Sequence, residues 1–255
     1  MKVAVTGACG WTANPILEAL VEAGHQIIAF DLPGVACPPN VAQLVDEIRR
    51  GDVADFQQVR RALEGTQAAI HLAVTTDQGA YRAPDIPFAV NVKGAYNLFE
   101  SARRQNLARV VLVSSAPVHL PLSAEERLDP VTDWKSSAGS DHLYDLCKRL
   151  QEEIAKDFCA TFGMTAIVLR AGHVVNGRLG VDRRGRPLRT LQYCRGGWVC
   201  RYDLARVSVK ALEATLTGYN AYHVIGSERA RKPFDIERTE RELGFVFENR
   251  FEAWR

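Results

Sequence analysis

The chain has 255 residues, of which 47% are hydrophobic and 24% charged, with a formal net charge of +2. That length can bury a full core, as one large domain or as one domain carrying a small lobe. So balanced a charge gives no reason to expect a nucleic-acid or membrane surface, and no apolar run approaches the ~20 residues that span a bilayer. The opening Met1-Lys2-Val3-Ala4-Val5 reads as a strand rather than a signal peptide, so a cytoplasmic location is expected. Cys9, Cys37, Cys147, Cys159, Cys194 and Cys200 form no CxxC pair and are expected to be reduced thiols.

Short apolar runs at 3–6, 26–30, 47–50, 68–72, 110–114 and 165–169 alternate with helix-like segments at 14–23, 55–63, 88–105 and 142–162. The runs are mostly rich in Val, Ile and Ala without strict alternation, as strands covered on both faces should be. Strand and helix in this rhythm predict an α/β protein, a Rossmann-like doubly wound parallel sheet joined by right-handed crossovers. Past Leu169 the rhythm breaks. Residues 172–197 are rich in glycine and arginine and read as an irregular lobe or long loop. A helix at 203–216, a strand at 221–224 and a helix at 235–243 stopped by Gly244 complete the expectation. The division expected is a nucleotide-binding domain over 1–170 and a small substrate lobe over 171–255, with segments that return to the main domain.

Between the first strand and helix lies Gly7-Ala8-Cys9-Gly10-Trp11-Thr12-Ala13, a GxxGxxA turn. Its glycines let backbone approach a pyrophosphate, and the following helix aims free N–H groups and a positive dipole end at that anion. Gly7, Cys9, Gly10, Trp11 and Thr12 are therefore candidate cofactor residues. Asp31 ends the second strand, where a carboxylate accepts hydrogen bonds from the adenosine ribose. It would repel a 2′-phosphate, and Leu32-Pro33 brings no arginine, so NAD is expected over NADP. Asp52, followed by Val53, either faces the adenine amine or caps the next helix.

Tyr144 and Lys148 stand four apart on a predicted helix and share a face. An ammonium beside a phenol favours the phenolate, which turns tyrosine into a usable base. The same lysine can hold the nicotinamide ribose. Ser114 and Ser115 close the fifth strand, at the end where parallel sheets bind ligands.

Turn, strand-end serine and Tyr/Lys pair in this order resemble the extended short-chain dehydrogenase/reductase family, also called the NAD-dependent epimerase/dehydratase family. Gly51-Asp52-Val53-Ala54-Asp55, His71-Leu72-Ala73, Asn91-Val92-Lys93-Gly94, Val113-Ser114-Ser115, Leu169-Arg170 and Tyr202-Asp203-Leu204-Ala205 carry the same likeness. The resemblance implies Ser115 positions substrate, Tyr144 is the general acid/base and Lys148 its partner. It implies that Asn91 supports the active-site architecture, that Leu72, Ala73 and Val74 line the cofactor groove, and that Thr75 and Ala116 face substrate. It also implies a homodimer through the helices at 88–105 and 142–162, with Phe99, Leu146, Leu150, Ile154 and Phe158 as apolar positions. The pattern departs at Ala13, at His119 where sugar-nucleotide enzymes usually show tyrosine, and at Cys147.

Only about 85 residues follow Arg170, which leaves little room for a nucleotide-diphosphate pocket. The short C-terminal part resembles uronate dehydrogenases and related small-sugar dehydrogenases, with departures at Ala116 and His173. His173 either donates to a substrate hydroxyl or carboxylate or is a half-buried packing residue. The arginines between 178 and 206 suit a carboxylate, with Arg178 and Arg183 as first candidates, or form a solvated basic loop. No histidine spacing suggests a metal site. The reading is an NAD-dependent oxidation of a small sugar or sugar acid. The alternatives are an epimerase or dehydratase using the same Tyr/Lys pair, and a non-catalytic NAD-binding protein, for which a Ser/Tyr/Lys set would be superfluous.

Overall fold

The computed structural model describes residues 1–75, 83, 85–116, 142–191 and 197–251. His119, Asp141, Cys194 and Arg195 lie outside the described residues.

Seven parallel strands form one sheet: β1 (Lys2–Thr6), β2 (Gln26–Asp31), β3 (Glu47–Arg50), β4 (Ala68–His71), β5 (Arg109–Ser115), β6 (Ala166–Ala171) and β9 (Tyr219–Val224). Their spatial order is β3-β2-β1-β4-β5-β6-β9, all pairs parallel. The helices are α1 (Ala13–Glu22), α2 (Val41–Leu44), α3 (Phe56–Ala62), α4 (Asp85–Phe88), α5 (Gly94–Arg104), α6 (His142–Phe162), α7 (Arg201–Glu213) and α8 (Ile236–Leu243). One wide helical turn, Ala89–Lys93, leads into α5.

Alternate strand residues feed two separate apolar layers. Val3, Val5, Ile70, Val111, Ile167, Leu169 and Tyr222 pack in one layer with α1, α7 and α8. Ala4, Ala69, Val110, Leu112, Val168 and Ala221 point the other way, towards α3, α5 and α6. Burial on both faces is why the inner strands are mostly apolar, while the edge strand β3 reads Glu-Ile-Arg-Arg and is only partly buried. The doubly wound sheet expected from the sequence is present. Strand order reverses at the β1/β4 pair, and ligands in such sheets bind in the crevice outside the carboxyl ends of the strands there.

The glycine- and arginine-rich stretch is more ordered than its composition suggested. β7 (His173–Val175) pairs in parallel with β8 (Trp198–Cys200), making a small second sheet. Its own apolar cluster gathers Val175, Leu188, Trp198, Cys200 and Phe251. β9 then returns to the edge of the main sheet beside β6. Asp235 caps α8 by accepting from Arg238 N, and Gly244 ends it with a left-handed φ of 57°.

The cysteines correct the expectation of reduced thiols throughout. Cys9 and Cys37 are joined in a disulfide, their Cα atoms 4.3 Å apart. The chain between them runs out along α1 and back along β2, which brings distant positions to one end of the sheet. Cys147, Cys159 and Cys200 are buried thiols outside the disulfide. Among the described residues no helix is long and apolar enough to cross a membrane.

Candidate active site and cofactor crevice

Residues 7–13 close over the β1/β4 switch point. Gly7 has φ 69°, and a Cβ on it would meet Ala73 N at 2.8 Å. Only glycine fits there, both for its left-handed backbone and for the approach of the β4 end. Gly7 N donates to Phe30 O, and Gly10 N donates back to Gly7 O at 3.1 Å, which tightens the turn. Ala13 is buried, as the close helix–strand contact requires. Thr12 precedes α1 without a side-chain cap, and the first turn of α1 holds no acidic residue. An open, uncapped helix start with no local anion fits a pyrophosphate.

Asp31 lies beside this turn. Its carboxylate accepts from Cys9 N at 2.8 Å through one oxygen and from Leu32 N at 2.8 Å through the other. These bonds fix its orientation, and each oxygen keeps a lone pair for a ribose hydroxyl. The adenosine side also holds a residue that the sequence reading missed. Arg50 ends β3 in register with Asp31 and donates to Leu32 O at 3.1 Å and Val35 O at 2.9 Å. It reaches the Cys9 and Cys37 sulfurs as well. A β3 arginine therefore lies over the loop that local sequence left without one.

Of the two roles expected for Asp52, the helix cap falls to another residue. The helix cap is Asp55, which accepts from Gln58 N. Asp52 instead accepts from Ala54 N and shapes the loop before α3. Val53 is buried under Gly94, where a Cβ would come within 2.9 Å of a Val53 methyl. Leu72 and Ala73 line the opposite lip, half-buried after β4, with Ala73 N donating to Thr6 Oγ1. Asn91 is fully buried, and its amide makes a pair of 2.9 Å bonds with the Thr75 N–H and carbonyl. Gln151 Nε2 on α6 donates to Asn91 O, tying the same point to the helix that bears Tyr144. Asn91 thus holds the loop after β4 in place.

α6 carries Tyr144 and Lys148 one turn apart, with Lys148 Nζ 5.9 Å from the centre of the Tyr144 ring. Lys148 is buried and donates to Val113 O at 2.9 Å. Burial brings its pKa down to about 8, against the attraction of the Glu152 carboxylate, which raises it. The lysine's charge in turn adds to burial in holding His71, at the end of β4, near a pKa of about 3. His71 is hydrogen-bonded to Thr6 Oγ1 at 2.7 Å and stays neutral across the working range.

The two strand-end serines divide their work. Ser114 Oγ donates to the buried Glu152 carboxylate, while Ser115 stands at the last position of β5, 8% exposed. Ala116 is wholly buried in the main core. His173 opens β7 on an exposed edge, and desolvation on its inner side lowers its pKa from the ordinary value. Arg178 lies flat on the Tyr202 ring, 3.8 Å from its centre. Arg183 is exposed at the tip of a turn that Asp182 braces by accepting from Arg184 N and Arg186 N. Among the described residues no group of three or more His, Cys, Asp or Glu is placed to hold a metal ion.

The pattern of the NAD dependent epimerase/dehydratase family matches residues 3–190. The chain is 25% identical over 229 residues to L-arabinose 1-dehydrogenase (NAD(P)(+)) of Haloferax volcanii, with 84% of each chain covered. It is 26% identical over 228 residues to uronate dehydrogenase of Pseudomonas syringae pv. tomato, covering 89% of this chain and 75% of that one. A uronate dehydrogenase variant from Agrobacterium tumefaciens, solved with NAD, shares the fold. Its TM-score is 0.76 at 21% identity, covering 100% of this chain and 87% of the other. The turn that only glycine can make, the open start of α1 and the braced Asp31 suit the cofactor of these proteins. The chain belongs to the NAD dependent epimerase/dehydratase family, whose cofactor is NAD.

Proposed function

We propose that the protein is a dehydrogenase that oxidises a hydroxyl or hemiacetal of a small sugar or sugar acid. The observation that carries this reading is the α6 face, where Tyr144 sits one turn from a buried, charge-bearing Lys148 at the end of β5. Ser115 orients the reacting oxygen from the strand end. Tyr144 accepts its proton, and the Lys148 ammonium favours the phenolate that does so. NAD, when bound, supplies the hydride acceptor. Residues 1–170 hold the cofactor and 171–255 supply the substrate lobe.

The substrate is proposed to carry a carboxylate, bound by Arg178 or Arg183 with His173 beside them. The names of the arabinose and uronate dehydrogenase relatives suit a free sugar rather than a nucleotide sugar. A uronic or aldonic acid is expected to give a much higher kcat/KM than its neutral analogue, measured as NADH formed. Equal efficiency on both would remove the carboxylate from the proposal. An epimerase would recycle its cofactor, so product formation without net NADH would overturn the dehydrogenase reading.

Asp31→Ala is expected to weaken NAD much more than NADP, because it removes a ribose acceptor and leaves Arg50 beside the site. An unchanged ratio of the two affinities would show that Asp31 does not read the ribose.

The homodimer also remains part of the proposal. Phe99 and Phe158 are buried within the single chain, while Leu146, Leu150 and Ile154 are partly open and Tyr96 and Phe162 are exposed. A monomeric mass by light scattering at micromolar concentration would contradict it.

A further inference from the structure

We infer that Arg201, the first residue of α7, is a ligand of the cofactor's pyrophosphate, facing the glycine turn from the C-terminal lobe. The inference rests on NAD binding at residues 7–13 and adds a contact from outside that turn.

Arg201 is 9% exposed, and its guanidinium lies over the Trp11 ring, 4.3 Å from the centre. Trp11 follows Gly10 directly in the turn, so the cation is held beside the place where an anion is expected. Stacking fixes the plane of a guanidinium and leaves its in-plane N–H donors available to an oxyanion. Its Nε is buried with no hydrogen-bond partner, and among the described residues no carboxylate forms an ion pair with it. Desolvation lowers its pKa from the usual arginine value.

Among the described residues the other buried arginine is treated differently. Arg170 is paired with Glu152 at 2.7 Å, and the less buried Arg231 and Arg206 are paired with Glu240 and Asp203. A guanidinium stripped of water, with the Glu18 carboxylate attracting it but not in an ion pair with it, is costly unless an anion arrives from outside. The surroundings point to which anion. α7 packs along α1, and the stacking of Arg201 on Trp11 joins the starts of the two helices. Two positive helix ends and an unpaired guanidinium then converge beside the turn that fits a pyrophosphate.

The experiment compares ligands that differ in the pyrophosphate. Dissociation constants of NAD, ADP and adenosine are measured by calorimetry for the wild type, Arg201→Met and Arg201→Lys. Arg201→Met is expected to weaken NAD and ADP by roughly 10- to 100-fold, the range of one charge-assisted hydrogen bond, and to leave adenosine unchanged. Arg201→Lys keeps the charge but loses the planar fork, so a smaller loss confined to NAD and ADP is expected. The lysine variant carries the test if the methionine variant fails to fold.

Unchanged ADP affinity in the variants would overturn the inference, as would an equal loss for ADP and adenosine, which marks damage to the pocket. A rise in the sugar-acid KM with ADP affinity intact would move Arg201 to the substrate and overturn it too. Failure of the wild type to bind NAD or ADP would overturn the cofactor reading along with it, and is told apart by needing no variant.

Discussion

Tyr144→Phe is expected to lower turnover by about 10²–10⁴-fold, the usual contribution of a general acid–base group, while NAD affinity stays close to that of the wild type. The substitution removes one hydroxyl and keeps the ring, so the packing of α6 is retained. Lys148 stands differently. Its ammonium is proposed to serve both the phenolate and the nicotinamide ribose, so Lys148→Met should damage turnover and cofactor affinity together. The wild-type rate should also decline above about pH 8. Burial has brought the Lys148 pKa to about 8, and above that value the lysine is neutral and no longer favours the phenolate. Turnover in Tyr144→Phe near that of the wild type would exclude this mechanism, whatever the cofactor affinity.

What was legible in the sequence was what is encoded locally. The glycine turn, Asp31 and the Tyr144/Lys148 spacing each sit within one strand, turn or helix, and α6 spans the predicted residues 142–162. Most of the strands were visible because both their faces are buried, which makes their runs largely apolar. β7 and β8 were not visible. Each has three residues, and the glycine- and arginine-rich stretch that separates them masks the pairing. The wide turn at Ala89–Lys93 was read as part of one continuous helix, since its sequence carries no glycine or proline to mark the change.

The contacts that shape the site's chemistry were the least legible, because they join residues far apart in the chain. Arg50 reaches Leu32 and Val35 because β3 pairs with β2. The Cys9–Cys37 link and the Arg201–Trp11 stack have no local signature at all. Asp52 and Asp55 differ by three positions, and only the backbone shows that Asp55 is the cap. Glu152 was within reach of the sequence. It follows Lys148 by four residues on the same helix, and that spacing repeats the one from Tyr144 to Lys148.

Glu152→Ala is expected to be the most destabilising single change near the site. The carboxylate is wholly buried and accepts from Ser114 Oγ, from Arg170 Nε and Nη2, and from Tyr219 OH at 3.0 Å. It joins α6 to the adjoining strands β5, β6 and β9. Removing one partner of a buried pair leaves the other charge uncompensated, at a cost of roughly 3–5 kcal/mol. For a chain of this size that is a fall in Tm on the order of 10 °C. Replacing both partners, as Glu152→Gln with Arg170→Met, should recover much of the loss, because the cost lies in the stranded charge more than in the missing attraction. The milder Glu152→Gln separates the chemical effect from the structural one. Glu152 attracts the Lys148 ammonium and raises its pKa against burial, and in this variant the stranded Arg170 charge would push the same way as the lost attraction. The Lys148 pKa must then fall below about 8, and the alkaline limb of the rate profile must move to lower pH. A variant that keeps both its Tm and its alkaline limb would show that this buried carboxylate neither holds the strands together nor sustains the charge on Lys148.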